Sequence, residues 1–209
     1  MIELKKGMTI LTQGDSITDA GRNFEDDSFL GYGYSMIIGS ILMSKYTEYE
    51  LKVINKGISG NRVCDLKGRW EKDTLAYYPD ILSIMIGIND TWRRYDSDDP
   101  TSASKFEEDY KFILEQSKAQ GSKIIIIEPF LNTVKKEMQS WKDEDLYEKI
   151  DVCKKLAKKY ADEYIPMEDI MQKMIKIRPC EFWTPDGVHP SHAGHGLIAD
   201  KFLSLLKMK

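Results

Sequence analysis

Short apolar runs of strand length alternate along this chain with segments whose apolar residues recur at helical spacing. The strand-like runs cover residues 8–13, 51–55, 80–86, 123–128 and 164–166. Between them, Ile37, Ile38, Ile41 and Leu42 mark a helix over 34–45, and a second helix is expected over 63–77. Residues 93–101, with Asp96, Asp98, Asp99 and Pro100, read as a polar loop. Ser104 and Glu107 then form a capping-box pattern that opens a helix carrying Phe106, Tyr110, Ile113 and Leu114. Leu146, Ile150, Cys153 and Ala157 define another helix, and Leu197, Ile198, Phe202 and Leu205 a closing one over 191–206. The run from Ile124 to Ile127 is β-branched throughout, as expected of a strand covered on both faces. Uninterrupted alternation of strand and helix calls for a parallel sheet with helices on both sides. Right-handed crossovers leave few topologies for five strands, favouring the order 2-1-3-4-5 of a flavodoxin-like three-layer α/β/α fold. No repeat, low-complexity tract or linker breaks the pattern, so residues 1–209 read as one domain.

That strand order has a chemical consequence. The first strand lies between the second and third, about 4.8 Å from each. Ser16 leaves the middle strand after a turn at Gly14, Gly60 follows one neighbour, and Asn89 follows the other. All three meet at the carboxyl edge, where open α/β sheets place their sites. A serine there can attack a carbonyl while the N–H groups of Ser16 and Gly60 and the Asn89 amide hold the charge developing on oxygen. A serine hydroxyl needs a base, and the base needs an orienting acid. The three histidines are His189, His192 and His195, and His189 stands in Asp186-Gly187-Val188-His189-Pro190, between the last expected strand and the last helix. An aspartate three residues earlier, across a glycine turn, can reach the imidazole Nδ1–H and leave Nε2 as the base. Order and spacing thus give Ser16, Asp186 and His189 as a catalytic triad.

Composition narrows the partners. Basic and acidic residues, 30 Lys+Arg against 34 Asp+Glu, are interspersed without a basic stripe, which argues against nucleic acid. Three cysteines without a C-x-x-C pair fit a reducing compartment, and neither a signal-peptide stretch nor a run of bilayer length is present. The expectation is a cytoplasmic protein with no membrane partner. Asp15, Asp19 and Asp90 read as carboxylates that brace loops through backbone N–H groups. The three histidines with Asp186 invite a metal reading, but Pro190 sets His189 ahead of the helix and no second ligand cluster accompanies them. No metal is expected, and His192 and His195 read as helix-start residues, one exposed and one hydrogen-bonded. Trp92 and Trp183 flank catalytic segments and are expected at the pocket mouth. There an indole can stack on a sugar ring or an acyl chain, wall the pocket, or form a contact within a homo-oligomer. Trp70 and Trp141 read as packing residues.

Four blocks carry a family resemblance. Gly14-Asp15-Ser16, Gly60, Gly87-Ile88-Asn89-Asp90 and Asp186-Gly187-Val188-His189-Pro190 resemble, in order and across nearly the whole chain, those of SGNH (GDSL-type) hydrolases. Finer stretches, Gly31-Tyr32-Gly33-Tyr34, Gly57-Ile58-Ser59-Gly60-Asn61-Arg62 and Ala193-Gly194-His195 among them, resemble a bacterial subgroup that includes acetyl-xylooligosaccharide esterases and lipase-like members. The resemblance implies a nucleophile at Ser16, further oxyanion donors at Gly60 and Asn89, a base at His189 oriented by Asp186, and no metal or organic cofactor.

Three functions follow from this reading. The leading one is a serine esterase that removes a small acyl group, acetyl above all, from a carbohydrate. The same triad could serve a lipase, lysophospholipase or thioesterase, although no long apolar segment resembling a lid or acyl tunnel is visible. A non-catalytic flavodoxin-like binding module leaves unexplained why all five site residues fall in place.

Overall fold

The protein is described by a computed structural model covering residues 1–207. A two-residue strand, β1 (Ile2–Glu3), lies outside the main sheet and pairs in parallel with β7 (Leu206–Lys207) near the chain end. The main sheet comprises β2 (Thr9–Gly14), β3 (Lys52–Asn55), β4 (Ile81–Met85), β5 (Lys123–Ile127) and β6 (Glu163–Ile165). All its pairs are parallel and the order is β3-β2-β4-β5-β6, which among these five strands is the expected 2-1-3-4-5.

Side chains alternate across a strand, so neighbouring residues feed two different cores. Ile10, Ile81, Ile125 and Ile127 face one side, packing on α2 (Tyr34–Lys45) and α10 (His192–Leu203) through Ile38, Leu42, Ile198 and Phe202. Leu11, Leu82, Ile124 and Ile126 face the other, against α3 (Val63–Asp73), α5 (Ala103–Gln120) and α7 (Tyr147–Tyr160). Every residue of β4 is buried, as a central strand covered on both faces requires.

The remaining helices are α1 (Ser16–Asp19), α4 (Ile88–Asp96), α6 (Met138–Trp141), α8 (Met167–Met174) and α9 (Cys180–Trp183). Several depart from the sequence expectation. Residues 93–96, expected in a loop, continue α4, whose first four residues are buried while Arg93 pairs with Asp96 one turn on. The polar stretch is the solvent side of a helix. The helix expected over 63–77 ends at Asp73 and gives way to a tight 3₁₀ turn at Leu75–Tyr77. The cap of α5 is Ser102, whose Oγ accepts from Lys105 N–H at 3.2 Å, two residues before the serine of the expected capping box. The closing helix stops at Leu203.

Candidate active site

The chain leaves β2 through Gly14 and Asp15 and starts α1 at Ser16, which lifts the serine hydroxyl onto the carboxyl edge of the sheet. Asp15 caps that short helix, its Oδ1 accepting from Ile17 N–H at 3.0 Å. Ser16 Oγ lies 2.9 Å from His189 Nε2, and His189 Nδ1 lies 2.6 Å from Asp186 Oδ2. The other Asp186 oxygen accepts from the N–H groups of Val188 at 2.9 Å and His189 at 2.7 Å. Partial burial alone would raise the Asp186 pKa, but the His189 bond and these backbone donors outweigh it and hold the carboxyl below its ordinary range. An ionised carboxylate only accepts, so His189 carries its proton on Nδ1 and presents Nε2 to the serine as an acceptor. His189 and Asp186 side chains are about half exposed, so the site is open to bulky groups.

Asn89 stands in the first turn of α4, after β4. Its amide spends one N–H on Asn61 O at 3.1 Å, which leaves the other N–H for a ligand. Gly60, on the neighbouring loop, adopts φ +82°, a left-handed conformation that disfavours any side chain. The loop is held from three directions. Asp19 accepts from Ser59 N–H at 3.0 Å and Ser59 Oγ at 2.7 Å, and Ile58 N–H donates to Gly14 O at 3.1 Å. Asp90 accepts from Val63 N–H at 3.2 Å. A Cβ at Gly57 would sit 2.3 Å from Asp19 N, so only glycine lets the loop lie this close to α1.

Two of these bracing carboxyls are nearly devoid of solvent. Burial drives both Asp15 and Asp90 up to a pKa of about 7, against the lowering effect of their backbone donors. In the unfolded chain both would ionise near pH 3.8. Between these values the folded state binds more protons than the unfolded one, so stability falls as pH rises through that window. Asp90→Asn keeps an acceptor for Val63 N–H and removes the titration. Its melting temperature should match wild type near pH 4 and exceed it progressively toward pH 8, which thermal unfolding across pH can check. An unchanged difference across that range would show that Asp90 is already ionised when folded. His195 acts in the opposite sense. Burial above all, with His192 and His189 nearby, lowers its pKa to about 4, and its Nδ1 accepts from Tyr34 N–H at 3.2 Å.

The tryptophans divide differently from the sequence reading. Trp92 is half-buried with its ring centroid 6.0 Å from that of His189, beside the triad. Trp183 is only 8% exposed, packs on the core and donates its indole N–H to Met174 O at 3.2 Å. It presents little face to a ligand, because α9 turns it inward against α8. Trp141, expected to be packing, does pack half-buried against the core, and it also lies 6.0 Å from Trp92. His192 is exposed. Among the described residues no group of three or more His, Cys, Asp or Glu is placed to hold a metal ion, and no helix is long and apolar enough to cross a membrane.

The family model described as GDSL-like lipase/acylhydrolase matches residues 13–197. An acetylxylan esterase of Geobacillus stearothermophilus is 35% identical over 210 residues, covering 97% of this chain and 95% of its own length. The crystal structure of Axe2, an acetylxylan esterase from that organism, superposes with a TM-score of 0.86 at 34% identity, over 97% of this chain and 95% of that one. Catalytic mutants of Axe2 replace a serine, an aspartate and a histidine. A candidate GDSL-like lipase from Parabacteroides merdae superposes with a TM-score of 0.90 at 32% identity over 96% of each chain. The chain belongs to the GDSL-like lipase/acylhydrolase family and is a carboxylic ester hydrolase.

Proposed function

We propose that this enzyme removes acetyl groups from a carbohydrate by way of an acyl-Ser16 intermediate. The observation that carries the mechanism is the continuous chain from Ser16 Oγ through His189 to Asp186, at 2.9 and 2.6 Å. His189 Nε2 takes the serine proton as Oγ attacks the ester carbonyl. The N–H groups of Ser16 and Gly60 and the free Asn89 amide N–H stabilise the tetrahedral oxyanion. His189 then gives its proton to the departing alcohol. Water, deprotonated by the same imidazole, attacks the acyl-serine and releases acetate. Asp186 fixes the tautomer and stabilises the imidazolium formed in between. The chemistry uses only these groups and water.

The carbohydrate substrate rests on the 35% identity to an acetylxylan esterase and on the openness of the triad, which admits a bulky alcohol. A site built for acetyl ends its acyl pocket near the carbonyl. A longer chain then clashes or stays in water, and forgoes the ~0.8 kcal/mol that each buried methylene could contribute. kcat/KM should therefore fall steadily along p-nitrophenyl acetate, butyrate and octanoate, and acetylated xylo-oligosaccharides should be deacetylated. Faster hydrolysis of octanoate or palmitate than of acetate would move the enzyme to the lipases while leaving the triad in place.

A further inference from the structure

Beside the imidazole the protein holds a row of half-buried rings. Trp92 lies 6.0 Å from His189, Trp141 lies 6.0 Å from Trp92, and Tyr95 stacks nearly parallel on Trp141 at 5.0 Å and 11°. Because His189 protonates the departing alcohol in the proposed mechanism, rings beside it flank the leaving group. The position of Trp141 is fixed by buried charge. The next residue, Lys142, is buried and ion-paired with Glu168, which also accepts from Leu131 N–H at 3.0 Å. Lys142 opens a π turn, Lys142–Leu146, a geometry that recurs at functional sites. Within that turn Asp145 pairs with buried Lys149, while Arg94 of α4 reaches Glu144 O at 3.2 Å. Buried ion pairs are costly relative to apolar packing of the same volume. Here they fix α6 and the π turn against α4, and with them Trp141 against Trp92.

We infer that Trp92 and Trp141 form a platform for a pyranose ring of the leaving-group saccharide, so that the enzyme reads sugar beyond the acetylated unit. This rests on the carbohydrate reading above. A pyranose offers an apolar C–H face with a rim of hydroxyls, which suits aromatic faces edged by polar groups. The rim is supplied by Arg93, whose guanidinium lies 5.5 Å from the Trp92 ring and whose buried Nε–H finds no acceptor among the described residues, and by Gln139 and Ser140 next to Trp141. A fatty acyl chain would want an enclosure of aliphatic side chains, and these rings are half open with charged neighbours.

Trp141→Met keeps apolar volume and removes the ring. With acetylated xylo-oligosaccharides its KM should rise about tenfold with kcat little changed, the worth of one good aromatic contact. With ethyl acetate, whose small aliphatic alcohol cannot stack on an indole, both constants should stay near wild type. In Ser16→Ala, unacetylated xylo-oligosaccharides should shift tryptophan fluorescence saturably, and adding Trp141→Met should abolish the shift. Equal losses on both substrates, or an unchanged KM on the oligosaccharides, would overturn the platform while leaving the esterase reading intact. Wild-type enzyme that cleaves p-nitrophenyl acetate but no acetylated saccharide would overturn the carbohydrate reading and the platform with it.

Discussion

Ser16→Ala should lose about 10⁴-fold or more in kcat on p-nitrophenyl acetate, with KM nearly unchanged and the fold intact. The fold should survive because the Ser16 residue is half-buried and, among the described residues, its hydroxyl has His189 alone as partner. Removing one oxygen leaves no buried polar group stranded, since the freed Nε2 belongs to a ring that is about half exposed. The loss is large because no acyl-enzyme can form. What remains is oxyanion stabilisation acting on a poorly placed water. Steady-state kinetics together with circular dichroism and thermal unfolding separate this from misfolding. Near-wild-type turnover by a folded, uncontaminated variant would rule out the serine mechanism.

Asn89→Ala should lower kcat roughly 10²–10³-fold with a smaller change in KM, because its free N–H strengthens chiefly as the carbonyl oxygen becomes an anion. Asn89 also ties its loop to Asn61 O, so alanine could act by loosening the Gly60 loop. Asn89→Asp separates the two effects. It preserves shape but sets a negative charge where the oxyanion forms, so its loss should be at least as large. A rise in KM with kcat maintained in Asn89→Ala would make Asn89 a substrate-binding group instead.

The arrangement of the site was legible because it depends on strand order more than on contacts. Strand order follows from alternation and handedness, and it puts the residues after β2, β3 and β4 at one edge without knowledge of packing. The Asp186–His189 spacing works across a tight turn for the same local reason. What failed to read through depended on which way a side chain turns. Trp183 lies three residues before Asp186, yet α9 rotates it into the core, where its N–H meets Met174 O. The place of Trp141 beside Trp92 was not legible, because the Lys142–Glu168 pair that sets it joins residues far apart in sequence. Elements too short for periodicity were invisible as well. β1 and β7 have two residues each and exist only because Ile2 and Leu206 meet in register. Polarity misled at 93–96, where charged residues on the outer turn of α4 imitate a loop. Asp15 and Asp90 were legible as braces, whereas the burial that raises both their pKa values is a property of the packed protein.

The central claim, that Ser16 is acylated with His189 as its base, is tested most directly by active-site labelling with an organophosphonate followed by peptide mass spectrometry. The wild-type enzyme should take up one equivalent on Ser16, with esterase activity lost in proportion to the label. His189→Ala should react far more slowly, because the hydroxyl has then lost the acceptor 2.9 Å away. Activity that survives full modification of Ser16, or inactivation that tracks a label on another residue, would contradict the account.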